Sequence, residues 1–206
     1  MKNIIVIGAG GHGRVIADLI KKLNNYQNVY FLDDFATGEV LGCKIIGKTD
    51  DYVKYVNDYE FFVAIGNNKL RKSVIEKLIN SNAKIATLIH PSAVIANNVE
   101  IGFGTCVIAG AVINPCAKIG NGVIINTSSS IDHDCVIGDY THVSVGVRVA
   151  GGAKTESDVW LCIGAVVSNG VSICENVTIG AGAVVLKDIT ESGVYVGVPA
   201  KKVKEI

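Results

Sequence analysis

The sequence is poor in charge and in aromatic rings. Only 18% of its 206 residues are charged and 6% aromatic, whereas 49% are hydrophobic and 23 residues are glycine. That balance disfavours a large helical bundle and suits many short, stacked aliphatic strands. Lys and Arg match Asp and Glu at 19 each, so there is no overall field to draw nucleic acid or an acidic membrane surface. Small molecules are the expected partners. No C-x-x-C spacing joins Cys43, Cys106, Cys116, Cys135, Cys162 and Cys174, which argues against a zinc knuckle or disulfide framework and for small wall residues in a reducing compartment. No apolar run approaches membrane-spanning length. Met1 leads straight into Ile4-Ile5-Val6-Ile7, without the basic and apolar regions of a signal peptide. The expectation is a cytoplasmic protein of two small domains.

The first half alternates strand-like and helix-like segments. A strand at 4–8 precedes a helix with an apolar face of Val15, Ile16, Leu19, Ile20 and Leu23. A strand at 29–32 follows, then a short helix capped by Thr49, a strand at 61–65, and a helix presenting Leu70, Val74, Ile75, Leu78 and Ile79. This β-α-β-α-β order predicts a small parallel sheet with helical crossovers, a Rossmann-like domain over residues 1–84.

From there the period changes to six. Between Ile89 and Val185 every sixth residue is aliphatic except Thr155, and the residue two places earlier, from Ala93 to Ala183, is small or β-branched. A six-residue unit is one short strand plus a corner, and three units close a triangular coil whose aliphatic residues point to the axis. Each coil has open edges above and below, so coils must stack about 4.8 Å apart into a prism. The predicted second domain, over residues 85–206, is this parallel β-helix with a short C-terminal tail. An ordinary β-sandwich would instead alternate by two.

The repeats carry the hexapeptide acyltransferase signature, aliphatic-Gly-x-x-small-x, at Ile101-Gly102, Ile119-Gly120, Ile137-Gly138 and Ile179-Gly180. Together with G-A-G-G-H-G near the start, H-P-S-A at 90–93, I-D-H-D-C at 131–135 and G-V-P-A-K at 197–201, they give a chain that resembles the sialic-acid O-acetyltransferase-like sugar acetyltransferases over essentially its whole length. In motif layout it is most similar to the UDP-4-amino-sugar N-acetyltransferases of bacterial glycan biosynthesis. The resemblance implies a left-handed β-helix, acetyl-CoA as co-substrate with no metal, and a homotrimer with active sites between neighbouring β-helices.

His133 sits at a hexad position other than the two inward ones and is expected to face outward. Imidazole, with an ordinary pKa near 6.5, is the side chain best suited to take a proton from an attacking amine at neutral pH. The family's catalytic base falls on this position; the alternative is a solvated surface histidine. Asp134, next in the chain, would stabilise the imidazolium and hold its tautomer. The resemblance places His142 and Asn126 near the acetyl end of acetyl-CoA, and Gly151, Ile163 and Ala181 along the rest of that molecule. The backbone N–H groups of Ala150-Gly151-Gly152 offer an oxyanion hole, against a plain tight turn. Lys201, Lys202 and Lys204 are candidates for the phosphates of CoA, or simply a solvated tail.

At the other end, Gly8-Ala9-Gly10-Gly11-His12-Gly13 follows a strand and opens a helix, an arrangement in which amides and the helix dipole receive a phosphate. Read alone this is also a dinucleotide fingerprint, with Asp33 placed for a ribose of NAD, yet nothing after residue 90 suggests a dehydrogenase. In the family, Gly10, Gly11 and His12 hold the pyrophosphate of a UDP-sugar, Asp33 and Asp34 read the nucleoside, and Ala64, Ile65 and Gly66 form the facing wall. Within the same class the acceptor could be a hydroxyl, as in sialic acid, or a GDP- or dTDP-linked amino sugar. Two other classes remain: a γ-type carbonic anhydrase, whose zinc would need His90, His133 and His142 together, and a catalytically silent sugar-nucleotide sensor.

Overall fold

The computed structural model describes residues 2–205. The chain forms two compact units, Met1–Pro91 and Ser92–Ile206. Among the described residues no helix is long and apolar enough to cross a membrane.

In the first unit, β1 (Lys2–Ile7), β2 (Tyr26–Leu32), β5 (Glu60–Val63) and β6 (Lys84–Ile85) are joined through α1 (Gly11–Leu23) and α2 (Asn68–Asn80). The sheet has six strands rather than the few expected, because β3 (Glu39–Val40) and β4 (Cys43–Gly47) extend it to the order β3-β4-β2-β1-β5-β6. Leu41 and Gly42 both have positive φ, the geometry of a two-residue hairpin turn. Leu41 hides that turn in the sequence, since a bulky residue is a poor signal for the left-handed region. β1 pairs in parallel with β2 and β5. Being covered on both faces, it reads as the unbroken run Ile4-Ile5-Val6-Ile7, all fully buried. Lys84–Ile85, at the seam drawn from sequence, pairs with Glu60 and Phe61 of this sheet.

The expected helix faces are each rotated slightly. α1 buries Gly13, Ile16, Ala17, Leu19 and Ile20, leaving Val15 exposed. α2 buries Arg71, Val74, Ile75 and Leu78, while Leu70 and Ile79 are exposed. The spacing 71, 74, 75, 78 is one helical face, but hydrophobicity alone does not assign an arginine to it. Thr49 is not a cap: the short segment is a 3-10 helix, Thr49–Lys54, capped at Lys48, whose N–H donates to Asp51 Oδ2 at 2.8 Å.

The second unit is the left-handed β-helix. Its two-residue strands stack in parallel, each pairing with the strand three repeats later, as in Ile124↔His142 and Ser130↔Arg148. Each strand's second residue points inward: Ile125, Ile131, Val143 and Leu161 are fully buried, as are the small residues Ala111, Ala117, Cys135 and Val147 at the corners. Thr155 stays inside because its hydroxyl accepts the Gly138 N–H at 3.1 Å, so the interruption of the aliphatic register leaves no buried hydroxyl unsatisfied. The register fails only at its start, where Ile89 is exposed and Leu88 is buried instead. The last strand, Lys201–Lys204, turns back antiparallel on Gly193–Val196.

Cavity energetics make a direct expectation. Ile125→Ala, in mid-prism, should lower stability by about 2–5 kcal/mol. Ile95→Ala, on the partly buried first coil, should cost distinctly less; denaturant midpoints of the two variants measure the difference.

Candidate active site

The corners of the prism position the site. At regular six-residue intervals one residue adopts positive φ, among them Gly122, Ser128, Asp134, Gly152, Asp158 and Asn176. Asp134 takes such a place (φ 60°), which Asp tolerates better than most residues. The turn brings its carboxylate back onto the preceding side chain: Asp134 Oδ2 lies 2.8 Å from His133 Nδ1. The aspartate therefore reaches the imidazole. Both side chains are open, 59% and 67% exposed.

Asp132, which the sequence reading passed over, completes the corner. Its Oδ1 accepts the Asn114 side-chain amide at 2.7 Å and the His133 N–H at 2.8 Å. Asn114 and Asp132 stand three repeats apart, so the stacking that aligns coils aligns them; that spacing was the available signal. One coil further on lies Gly151. A Cβ there would come 2.6 Å from His133 Nε2 and 2.7 Å from Cε1. The imidazole thus rests on a backbone with no side chain to lift it. A groove of about 240 Å³ lined by Asn114, Ser130, Asp132, Arg148, Ala150 and Val166 adjoins this corner.

The oxyanion-hole expectation is narrowed. The Ala150 N–H donates to Val167 O at 3.0 Å and the Gly152 N–H to His133 O at 2.9 Å, so these two amides serve the coil ladder and Gly151 is the one of the three that such a role would fall to.

A second cluster lies on the adjacent wall. His142 Nε2 is 3.3 Å from Asn126 Nδ2, and Asn126 Oδ1 accepts the Thr127 N–H at 2.8 Å. The His142 ring stacks on Trp160, another residue the sequence reading did not single out. Ile163 and Ala181 are exposed on one corner, joined by the Gly182 N–H to Ile163 O bond at 2.9 Å. Lys202 pairs with Glu191 and Glu205 at 3.0 and 2.8 Å, so it is not an uncommitted cation; Lys201 and Lys204 are exposed.

In the first unit, Gly10 is the N-cap of α1, with Gly11 and His12 in its first turn. Asp33 is engaged internally: Oδ2 accepts the Ala9 N–H at 2.7 Å, and Oδ1 accepts those of Phe35 and Ala36. It ties the glycine loop to its neighbour. Asp34 Oδ1 accepts the Thr49 N–H at 2.9 Å. The wall at Ile65 and Gly66 is clamped by fully buried Arg71, whose Nη1 donates to both carbonyls at 3.0 and 3.1 Å. Although His12 keeps some exposed surface, burial of its ring pushes its pKa down to about 4, with the Arg71 charge adding to the effect. Among the described residues no group of three His, Cys, Asp or Glu side chains could hold a metal ion; His90, His133 and His142 do not form one.

Comparison with known proteins places this geometry. Residues 3–78 match the PglD N-terminal domain, and residues 152–187 match the bacterial transferase hexapeptide of six repeats. The acetyltransferase domain of PglB from Neisseria gonorrhoeae superposes with a TM-score of 0.95 at 34% identity, covering 98% of this chain and 100% of that one; the same domain has been solved with acetyl coenzyme A. The chain belongs to the hexapeptide-repeat sugar acetyltransferases. PerB from Caulobacter crescentus, in complex with CoA and GDP-perosamine, superposes at 0.90 with 33% identity over 98% of this chain and 97% of that one. UDP-N-acetylbacillosamine N-acetyltransferase of Bacillus subtilis strain 168 is 34% identical over 113 residues, 53% of this chain and 52% of that protein.

In this acetyltransferase the corner electrostatics favour a strong base. The Asp134 hydrogen bond, and then the Asp132 charge, raise the His133 pKa above its ordinary value. The Asn114 amide and the His133 N–H hold Asp132 below the usual carboxylate range, so it stays charged. A base accepts a proton only when neutral, so a role for His133 as the base predicts that activity falls as pH drops through its raised pKa. Asp134→Asn and Asp132→Asn remove stabilisation of the imidazolium, so each should move the acidic limb of the kcat/KM profile to lower pH. Gly151→Ala should fold normally yet lose about 10²-fold in kcat as the ring is displaced. Steady-state kinetics beside a melting curve separate the two effects.

Proposed function

We propose that this protein transfers acetyl from acetyl-CoA to the 4-amino group of a UDP-linked amino-deoxy sugar, by direct attack with His133 as general base. The observation that carries the reading is the 2.8 Å contact between His133 Nδ1 and Asp134. It engages Nδ1 in the neutral ring and leaves Nε2 as the proton acceptor. The amine nitrogen attacks the thioester carbonyl carbon, His133 Nε2 takes the proton that nitrogen sheds, and as the C–S bond breaks the imidazolium gives that proton to the leaving sulfur, releasing CoA as its thiol and restoring the neutral ring. No covalent acetyl-enzyme is required.

The PglB domain solved with acetyl coenzyme A supports the donor, and the Bacillus subtilis relative supports a UDP-linked acceptor. Gly10, Gly11, His12, Asp34, Ile65 and Gly66 would hold the nucleotide. Asp33 would join them at the nucleoside, and its three bonds from backbone amides also shape the loop. A GDP-linked amino sugar is the second reading, favoured by the likeness to PerB with GDP-perosamine. The catalytic corner is more open to water than acyl transfer favours. Val94, Val166 and Leu186 are exposed on the same prism, which supports a homotrimer whose neighbouring β-helix covers the site.

The deciding experiment is a thiol-release assay with acetyl-CoA across UDP-, GDP- and dTDP-linked 4-amino sugars, with free sialic acid as a control acceptor. Turnover is expected with a UDP-linked amine, and activity on sialic acid alone would overturn the assignment. His133→Ala should lose about 10² to 10⁴ in rate with little change in sugar binding. Near-normal turnover would remove His133 from the mechanism. Light scattering should give a mass three times that of the chain.

A further inference from the structure

Trp160 is the only tryptophan in the chain, and it stands 46% exposed on the prism wall. Its strand pairs in register with the strand of His142, so Trp160 and His142 are outward neighbours on adjacent coils. Their ring centroids are 6.2 Å apart and their planes differ by 12°, an offset stack. The indole is also pinned along its edge, since its N–H donates to Ser144 Oγ at 3.0 Å. On the other coil neighbour, Asn126 meets His142 Nε2 at 3.3 Å and is itself held by the Thr127 N–H. The imidazole is therefore gripped between an amide and an aromatic plane, each with its own anchor.

A grip of that kind suits a side chain that must hold one orientation against water. The core does not require it, because the inward residues of those two strands, Val143 and Leu161, are already fully buried. Around it the wall stays apolar: Val145 is 40% exposed and Ile163 58%. Half of a large indole is left uncovered beside a polar ring, the arrangement expected where an apolar chain ending in a polar group is received.

We propose that Trp160 is a positioning residue, which sets the plane of His142 by stacking, and that its uncovered surface together with Ile163 and Val145 receives the pantetheine and thioester end of the acyl-CoA donor. This rests on the acetyl-CoA reading above, and specifically on His142 lying at the acetyl end. It adds to that reading an aromatic contact and a specificity element for the donor rather than for the sugar.

Being the sole tryptophan, Trp160 reports on its own site. Titration of the full-length enzyme with CoA, and separately with acetyl-CoA, should change its fluorescence saturably, while UDP alone should leave it unmoved. Trp160→Ala should raise the acetyl-CoA KM about three- to tenfold, the effect of losing one aromatic pair, and lower kcat with the sugar KM unchanged. Trp160→Phe, which keeps a stacking ring, should recover most of the loss, and Ser144→Ala should show a small rise in acetyl-CoA KM. A fluorescence signal indifferent to saturating CoA in an enzyme that turns over, or a folded Trp160→Ala with the wild-type acetyl-CoA KM, would overturn the proposal. If Trp160→Ala does not fold, the wild-type titration and Trp160→Phe still decide it. A CoA-responsive tryptophan in an enzyme that acetylates no sugar would instead sink the acceptor assignment and leave this inference standing.

Discussion

Everything in the second unit depends on coils that stack in register. Each short strand passes its backbone hydrogen bonds to the strand three repeats away, and the aliphatic residue behind it fills the axis. No single coil is stable alone, because its edges are unpaired and its axis is open. One consequence reaches the chemistry. Residues at the same hexad position on successive coils become spatial neighbours, so the stack that builds the core also assembles Asn114 beside Asp132, His133 beside Gly151, and His142 beside Trp160.

The same stacking sets the electrostatics. Asp132 and Asp134 flank His133 in sequence but act by different routes. Asp134 reaches the ring nitrogen because the corner backbone folds it back, whereas Asp132 is held by an amide from the coil above and works through its charge. Both favour the protonated ring, so His133 is a stronger base than an isolated surface histidine, while remaining open enough to meet a substrate. In the first unit a comparable economy appears at Arg71. One buried guanidinium fixes two consecutive carbonyls of the Ile65-Gly66 wall and adds to the burial that keeps His12 neutral.

The prism was legible because its signal is periodic and hydrophobic. Removing side chains from water is the largest favourable term in folding, so the six-residue register of Ile, Leu and Val reads almost directly as inside and outside. It erred only at Ile89, where the repeat begins and no coil covers it. The helix faces of the first unit were less legible because a polar residue, Arg71, occupies an inward position for the sake of carbonyls that sequence does not reveal. The Leu41-Gly42 hairpin was hidden for a similar reason: pairing along β2 holds Leu41 in a conformation its side chain disfavours.

His133 was identifiable as a candidate because an imidazole at an outward hexad position departs from the repeat; Asp134 followed as its neighbour, and the resemblance supplied His142 and Asn126. What His133, His142 and Asn126 touch depends on contacts with residues distant in the chain. Asp33, a candidate nucleoside ligand, also ties loops together, and two of the three amides offered for an oxyanion hole, those of Ala150 and Gly152, bond within the prism. Sequence by itself determined the period, hence the prism and which side chains face out of it. Only the tertiary structure decided which hydrogen-bonding groups were already spent, because that depends on distances of a few ångströms between separate coils, and a periodic pattern carries no information about them.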